Sequence, residues 1–410
     1  MSQNWIGTIS KILQPIMPLV QNFSSNGYKI YAVGGVVRES VLGSEKVDDL
    51  DLTTDALPAD IKLMMDPFVS SLWTQGEKFG TIGGLVSGLN VEITTHRGEK
   101  YVPGSRKPEV NFSASIAEDL SRRDFTINSI ALSLPDMKVI DPYNGLDDLK
   151  NMVLRTPLEP FVSFEDDPLR MFRAARFLAK LPLKADKTML SASRRLLDRV
   201  SVLSAERINV ELEKMLTLHN VANGFSFLLE SGLLPTLFKP YQDKSLSEFA
   251  VRLASAEGSV LVRRAGLLYP LEDGALKLLK SLKYSRSDQR ETLLIIKCVK
   301  QIEMNEISKG LIRRIVYDVG LNRMSEIEQL YLNIESDSSK VSEFSKVFNG
   351  LLGVEDLNNI AVPLSGIEIM EHLKLSEGPM IGAVTEKLLD HVLDGGPLTK
   401  AEAYKVIDTL

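Results

Sequence analysis

Cysteine is nearly missing from these 410 residues, and Cys298 stands alone. One thiol cannot build a disulfide framework, which excludes the small cross-linked secreted class and fits a reducing compartment. No apolar run approaches the roughly 20 residues of a membrane-spanning helix. The amino terminus shows no secretory signal. A cytoplasmic setting without a membrane partner is therefore expected. No repeat of fixed period and no low-complexity tract appears. An excess of positive charge, the usual mark of a nucleic-acid binder, is lacking as well. Lys and Arg number 48 against 54 Asp and Glu, a net charge of −6. Net charge describes the whole particle, however, and an RNA track needs only a local basic stripe.

What is present permits sizeable cores. The hydrophobic fraction is 44%, and the chain is too long for one core, which suggests two to four modules. Ile9, Ile12, Leu13, Ile16 and Val20 are spaced like one helix face, interrupted by Pro15 and Pro18. From residue 28 to 155, short β-rich runs alternate with helical ones. Strands are predicted at Lys29 to Val33, Leu50 to Thr53, Thr81 to Val86, Val91 to Thr95, Val139 to Asp141 and Val153 to Arg155. Helices fit Gly35 to Leu42, Ala59 to Met65 and Ile116 to Arg123. After Pro168 the β signals fade and helical periodicity takes over, as in Leu169 to Leu181, Lys187 to Val200 and Ala205 to Leu218. The fold class is α+β, a mixed-sheet head followed by an all-α region.

The most telling residues are Gly34-Gly35-Val36-Val37-Arg38 and, shortly after, Asp49-Leu50-Asp51. The glycines fall at a strand-to-helix turn, where backbone N–H groups and the helix dipole favour an anion such as phosphate. Arg38, on the first turn of that helix, can reach the same phosphates with a planar guanidinium. Residues two apart in a strand face one way, so Asp49 and Asp51 look into the same space. Two carboxylates on one face beside a phosphate turn suit Mg²⁺ bound with a triphosphate. Glu92 is a candidate third carboxylate or an ordinary strand residue. Asp48 and Asp55 read as turn or cap residues.

Gly34-Gly35-x-x-Arg38 followed by Asp49-x-Asp51 resembles the head of the class II tRNA nucleotidyltransferase and bacterial poly(A) polymerase family, within the polymerase β-like superfamily. Three further runs support the resemblance: Arg122-Arg123-Asp124-Phe125-Thr126-Ile127-Asn128, Asp141-Pro-Tyr-Asn-Gly145-Leu-Asp-Asp148-Leu149, and Asp166-Asp167-Pro168-Leu169-Arg170, continued by Arg173 and Arg176. They look like the family's RRDFTIN, D-x-x-x-G-x-x-DL and EDxxR motifs. Asp166 departs from the usual Glu and is left out of the nucleotide contacts. The resemblance implies a head over 1–155, a nucleotide-selecting neck over 156–218, a body over 219–300 and a tRNA-binding tail over 301–410. It implies Mg²⁺ held by Asp49 and Asp51. It further implies nucleotide contacts from Gly34, Gly35, Arg38, Arg122, Arg123, Asp167, Arg170, Arg173 and Arg176.

Only one of Arg122 and Arg123 can face the nucleotide, and the sequence leaves open which. Asp124 is expected to pair with one of them or to fix its rotamer, and Asn128 to bond the sugar. Asp167 and Arg170 are i,i+3 neighbours, and spacing alone reads an ordinary helical ion pair. In the relatives the matching pair bonds the Watson–Crick edge of the incoming base, accepting from and donating to C and A but not G or U. The activity implied is addition of CCA to the acceptor end of tRNA from CTP and ATP. A poly(A) polymerase, or an enzyme adding only CC or only A, is the alternative within the family. The segment Gly98 to Pro108 reads as an irregular loop of the kind that full CCA enzymes keep. Some relatives carry an HD metal site, but none of His96, His219, His372 and His391 is followed by Asp. Tyr269 and Pro270 stand where the ligands would be. Arg194, Arg195, Arg199, Arg207, Arg313 and Arg314 are candidate RNA contacts.

Overall fold

The structure, a computed structural model, describes residues 5–46, 49–100, 109–112, 115–239, 244–335 and 337–409. By internal packing the chain forms two units. One comprises Met1–Arg207 with Glu230–Leu233, the other Ile208–Leu229 with Leu234–Leu410.

The first unit opens with helices α1 (Trp5–Leu13) and α2 (Met17–Ser25). Ile9, Leu13, Ile16, Val20 and Phe23 are buried, so the apolar face read from the sequence packs. The prolines do interrupt it. Pro15 lies in a 3₁₀ turn, Gln14–Ile16, and Pro18 in the first turn of α2, where a missing N–H is harmless. There follow β1 (Ile30–Val33), α3 (Gly35–Val41), β2 (Asp49–Thr54), α4 (Pro58–Met65), β3 (Val69–Trp73), β4 (Thr81–Val86) and β5 (Leu89–Thr95). Next come β6 (Arg97–Lys100), β7 (Glu109–Phe112), α5 (Ile116–Ser121), β8 (Ala131–Leu134), β9 (Lys138–Ile140), α6 (Gly145–Asn151) and β10 (Val153–Leu154). The unit continues with α7 (Pro160–Asp166), α8 (Leu169–Lys180), β11 (Lys184–Ala185) and α9 (Lys187–Arg195).

Among the described residues a seven-stranded sheet runs in the order β3-β4-β5-β2-β1-β8-β9. Only β2 and β5 pair parallel, so the sheet is mixed, as the sequence predicts. All four residues of β1 are buried, which fits an apolar strand flanked on both sides. β2 alternates: Leu50 and Leu52 are buried while Asp49 and Asp51 take the opposite face.

β3, β8, α6 and α7 lie outside the sequence expectation. β3 is an edge strand whose Ser70, Ser71 and Leu72 are all exposed, so it offers no alternation to read. α6 starts without a cap of its own, because Asn144 is left-handed (φ 57). The Asp141 carboxylate instead accepts the N–H groups of Gly145 and Leu146 at 2.7 and 2.9 Å. The helix predicted from Lys187 to Val200 is α9 followed by a 3₁₀ stretch, Leu197–Val202. The segment read as irregular from Gly98 is strand as far as Lys100, since β6 pairs with β7 from Arg97↔Phe112 to Lys100↔Glu109. The rest of that loop, residues 101–108, and Asp48 lie outside the described residues. Asp55 accepts the Lys29 N–H at 2.8 Å, a plain turn contact.

The described part of the second unit is helical. Its longest helices are Arg286–Met304 and Pro379–Gly395. Two of its arginines are buried in ion-pair clasps. Arg264, 7% exposed, donates to Glu213 at 3.0 and 2.6 Å and to Asp288 at 2.8 Å. Arg313, 4% exposed, donates twice to Glu355 at 2.8 Å and to the Leu393 and Asp394 carbonyls at 3.1 Å. That removes Arg313 from the RNA candidates, because its guanidinium is buried and taken up internally. Arg314 is on the surface with Asp390 and Asp394. Tyr269 donates to Glu303, and burial together with Glu303 raises its hydroxyl pKa.

Gly145 leaves no room for a side chain. A Cβ there would stand 2.1 Å from the Thr126 carbonyl oxygen, and Asp148 accepts the Thr126 hydroxyl at 2.7 Å. The D-x-x-x-G-x-x-DL run thus buttresses the RRDFTIN run. Gly145→Ala should destabilise the protein by about 3 kcal/mol or more, because rigid backbone must move. A thermal melt matching wild type would refute this.

Candidate active site

β1 delivers the chain to Gly34, whose φ of +68 and ψ of −126 favour glycine. A Cβ there would also lie 3.3 Å from Asp51 Oδ2 and 3.4 Å from the Arg123 guanidinium. Gly34 is buried and Gly35 half-buried, and the Gly35 N–H bonds to Asp51. The anion that this turn faces in the structure is therefore a carboxylate of the protein itself. One of the N–H groups expected to be open to phosphate is thus engaged within the protein.

Asp49 is exposed and accepts Asn90 Nδ2 at 3.2 Å. Asp51 is half-buried, and Glu92 is its register partner across the parallel β2–β5 pair, so both side chains share a face. Burial pushes the Asp51 carboxyl pKa up and Asp49 adds to it, while Arg123, Arg38 and the Gly35 N–H pull it down; the net shift is upward. Glu92 is also raised, by burial and then by Asp51 and Asp49. Three like charges are thus crowded on one sheet face. Among the described residues, however, no three His, Cys, Asp or Glu side chains converge closely enough to hold a metal unaided. The donor set fits a hard divalent cation only if further oxygens come from elsewhere, as a triphosphate and water can supply.

Arg123 lies beside this face. Its guanidinium approaches Gly34 and Asp51 and donates to Asp119 at 3.1 Å. Its i,i+4 spacing from Asp119 is the signal in the sequence that points to this pair. Arg122 offers its carbonyl to Arg170 at 2.5 Å. Asp124 pairs with neither Arg122 nor Arg123. It accepts from Arg173 Nε and Nη2 at 2.9 and 2.6 Å, from Asn128 at 2.8 Å and from the Phe125 N–H at 2.9 Å. Burial alone would raise its carboxyl pKa, but Arg173 and Asn128 overcome that and hold it low. Asn128 is buried between Asp124 and Arg38, so its amide is engaged within the protein rather than open to a sugar.

Arg38 is 6% exposed and donates to Asn128 and to Glu39, the latter at 2.7 Å. It lies 5.1 Å from the Phe177 ring, with Arg176 at 4.9 Å and Arg173 at 6.0 Å from the same ring. The Nε atoms of Arg38 and Arg123 are buried without a hydrogen-bond partner.

A cavity of about 310 Å³ is lined by Arg123, Asp124, Asp167, Leu169, Arg170, Arg173 and Arg207. Asp167 is the last residue before Pro168 and α8, and its side chain does not pair with that of Arg170. It accepts from the Leu169 N–H at 3.1 Å and from Arg207 at 3.3 and 3.0 Å. Arg170 donates to the Ser163 hydroxyl at 2.8 Å and its carbonyl at 3.2 Å. Arg207, read from sequence as an RNA candidate, is thus a wall of the cavity. Arg194 donates to the Glu230 carbonyl, Arg199 to that of Glu165, and Arg195 lies 4.4 Å from the Phe161 ring.

Comparison with known proteins gives a consistent answer. A model of the poly A polymerase head domain matches residues 30–155. One described as "Probable RNA and SrmB- binding site of polymerase A" matches 183–246, and one for tRNA nucleotidyltransferase domain 2 matches 266–404. The CCA-adding enzyme of Leuconostoc citreum (strain KM20) is 32% identical over 305 residues, 73% of this chain and 74% of that one. The CCA-adding enzyme of Limosilactobacillus reuteri (strain DSM 20016) is 29% identical over 399 residues, 95% of this chain and 94% of that one. The crystal structure of the Bacillus stearothermophilus CCA-adding enzyme in complex with CTP shares the fold, with a TM-score of 0.77, 24% identity and 97% of each chain covered. The Thermotoga maritima CCA-adding enzyme complexed with tRNA has a TM-score of 0.67 at 25% identity, covering 97% of this chain and 95% of that one.

The raised Asp51 carboxyl makes a stability prediction with a definite sign. A folded pKa above the unfolded one means the contribution is fully present below the unfolded pKa and is lost as pH rises through the folded pKa. In chelator at neutral pH, ionised Asp51 therefore weakens the fold. Asp51→Asn should melt at a higher temperature than wild type there, and the difference should shrink on acidification. An Asn variant that melts lower at neutral pH would contradict this electrostatic account.

Proposed function

We propose, from the premise that this chain belongs to the family of class II CCA-adding enzymes and bacterial poly(A) polymerases, a residue-level account of its activity. The protein is a tRNA nucleotidyltransferase that adds the 3′-terminal CCA from CTP and ATP without a nucleic-acid template. In the reaction the tRNA 3′-hydroxyl attacks the α-phosphorus of the incoming nucleotide and pyrophosphate leaves. The observation that carries the account is the pair Asp49 and Asp51 on one face of β2, with Asp51 against the Gly34 turn and Arg123.

Asp49 and Asp51 are the residues to hold Mg²⁺, with Glu92 as an adjacent charge. Bound there, the metal would supply activation of the attacking oxygen and stabilisation of the leaving one. Arg38 and Arg123 each have a buried Nε without a partner, a donor that triphosphate oxygens would satisfy. Asp167 and Arg170 read the base in the cavity between them. Asp167, with unused acceptor capacity, takes the amino group of C or A, and Arg170 donates to the ring nitrogen or the O2 of C. The described helices of the second unit, with their surface arginines, follow the tRNA. We also assign the division into head, neck, body and tail at 155, 218 and 300, and a cytoplasmic setting. The lone buried thiol of Cys298 supports that setting. No helix among the described residues is long and apolar enough to cross a membrane.

The direct experiment offers a tRNA transcript lacking its 3′ CCA to the protein with each NTP and with mixtures. CCA from CTP plus ATP is expected, and a long A tract from ATP alone would favour the poly(A) alternative. Asp49→Ala or Asp51→Ala should lower turnover at least about a hundredfold, roughly 2.7 kcal/mol of barrier, with tRNA affinity retained. Turnover above that level would remove the carboxylates from the chemistry. Arg170→Ala should cost about 1–3 kcal/mol of selection, so that UTP and GTP compete better. An unchanged NTP preference would take Arg170 out of the base-reading role.

A further inference from the structure

Six side chains close a ring in the first unit that runs beyond any one of the four motifs. Lys180, the last residue of α8, donates to Glu39 Oε1 at 2.8 Å, and the same oxygen accepts from Arg38 at 2.7 Å. Arg38 donates to Asn128, Asn128 donates to Asp124 at 2.8 Å, and Arg173 donates twice to Asp124. Arg173 and Lys180 are seven residues apart on α8, two turns along one face. The ring therefore begins and ends on the helix that also carries Arg170. Phe177, between them on α8, lies 5.1 Å from the Arg38 guanidinium.

Arg38 has two carboxylates to choose between. Glu39 holds it now, and its positive charge already acts on Asp51. Without a fixed Glu39, the guanidinium would be drawn to Asp51 and would mask the oxygen needed for metal. Burial would raise the Glu39 carboxyl pKa, but Lys180 and Arg38 outweigh it and keep it below the ordinary carboxylate range. Glu39 is therefore an ionised anchor at neutral pH.

We propose that Glu39 and Lys180 are positioning residues for nucleotidyl transfer: they hold the Arg38 guanidinium off Asp51 and aimed at the triphosphate, and they tie its angle to α8. This rests on the reading above that Arg38 faces the triphosphate. The clamp acts through Arg38 and touches no substrate itself.

Lys180 is the residue to test, since its side chain is 37% exposed and its loss should disturb the fold little. In the full-length protein, Lys180→Met should lower kcat for CMP incorporation about tenfold, as small misplacements of a reacting group do. KM for CTP should change less than about twofold, because the clamp sets orientation rather than affinity. Lys180→Arg should restore kcat, the melting temperature should hold, and Lys180→Met should add nothing in an Arg38→Ala background. A Lys180→Met protein with kcat within about twofold of wild type overturns the clamp, as does a loss carried by KM or one fully additive with Arg38→Ala. If Arg38→Ala itself turns over normally, the reading of Arg38 fails first. If Arg38→Ala is slow while Lys180→Met is normal, the clamp fails alone.

Discussion

The polar architecture of the first unit hangs on one carboxylate taken out of water. Asp124 is 9% exposed, and stripping an ion of solvent costs several kcal/mol unless partners are well placed. Its partners are the Arg173 guanidinium, the Asn128 amide and the Phe125 N–H. Two of them come from its own run and one from α8, so satisfying one charge fixes the turn of that run and its docking on the helix together. Arg173 must lean from α8 toward the RRDFTIN run. Asn128 must give its amide to Asp124, which turns its carbonyl oxygen to Arg38. The buttress at Thr126, closed by Asp148 and by the absence of a side chain at Gly145, holds the run in place for all of this.

Asp51 is the opposite case. It too is largely withdrawn from water, yet its neighbours on the sheet face are Asp49 and Glu92, and its carboxyl is pushed up rather than held low. One buried carboxylate is fully matched and another is left short of positive charge. A fold that satisfies Asp124 so completely has the means to satisfy Asp51. The remaining deficit is what supports the proposal that a cation is held there.

The sequence made legible those residues whose type the chemistry demands. Asp49 and Asp51 were readable because strand period alone puts them on one face. Gly34 was readable because a strand-to-helix turn called for it, although the structure adds the closer reason that Asp51 and Arg123 crowd it. Partner choice was not legible. Asp124 and Arg173 are 49 residues apart, and Arg207 and Asp167 are 40 apart. Local spacing instead suggested Arg122 or Arg123 for the first carboxylate and Arg170 for the second. Arg313 and Arg314 are adjacent and look alike in sequence, yet one is sealed inside against Glu355 and the other is on the surface. Elements whose support comes from afar were equally hidden. α6 begins on a cap from Asp141, and β3 is an edge strand held by pairing rather than by its own pattern.

The two ends of the cavity are prepared differently, and this bears on the base-reading role proposed for it. Arg170 is held from behind by the Ser163 hydroxyl and the Arg122 carbonyl, so its plane is set before a base arrives. Asp167 is met by the Leu169 N–H and by one side-chain partner, Arg207, whose side chain is 51% accessible. An exposed pair of this kind is worth little in stability, of order 1 kcal/mol or less. In the base-reading role we propose for Asp167, an amino group presented by C or A would compete with Arg207 for a carboxylate lone pair at small cost. A carbonyl presented by G or U meets an oxygen anion instead, with nothing to donate. On the proposed reading, a rigid donor opposite a readily yielded acceptor would let the pocket tolerate the different sizes of C and A while still rejecting the reversed hydrogen-bond pattern.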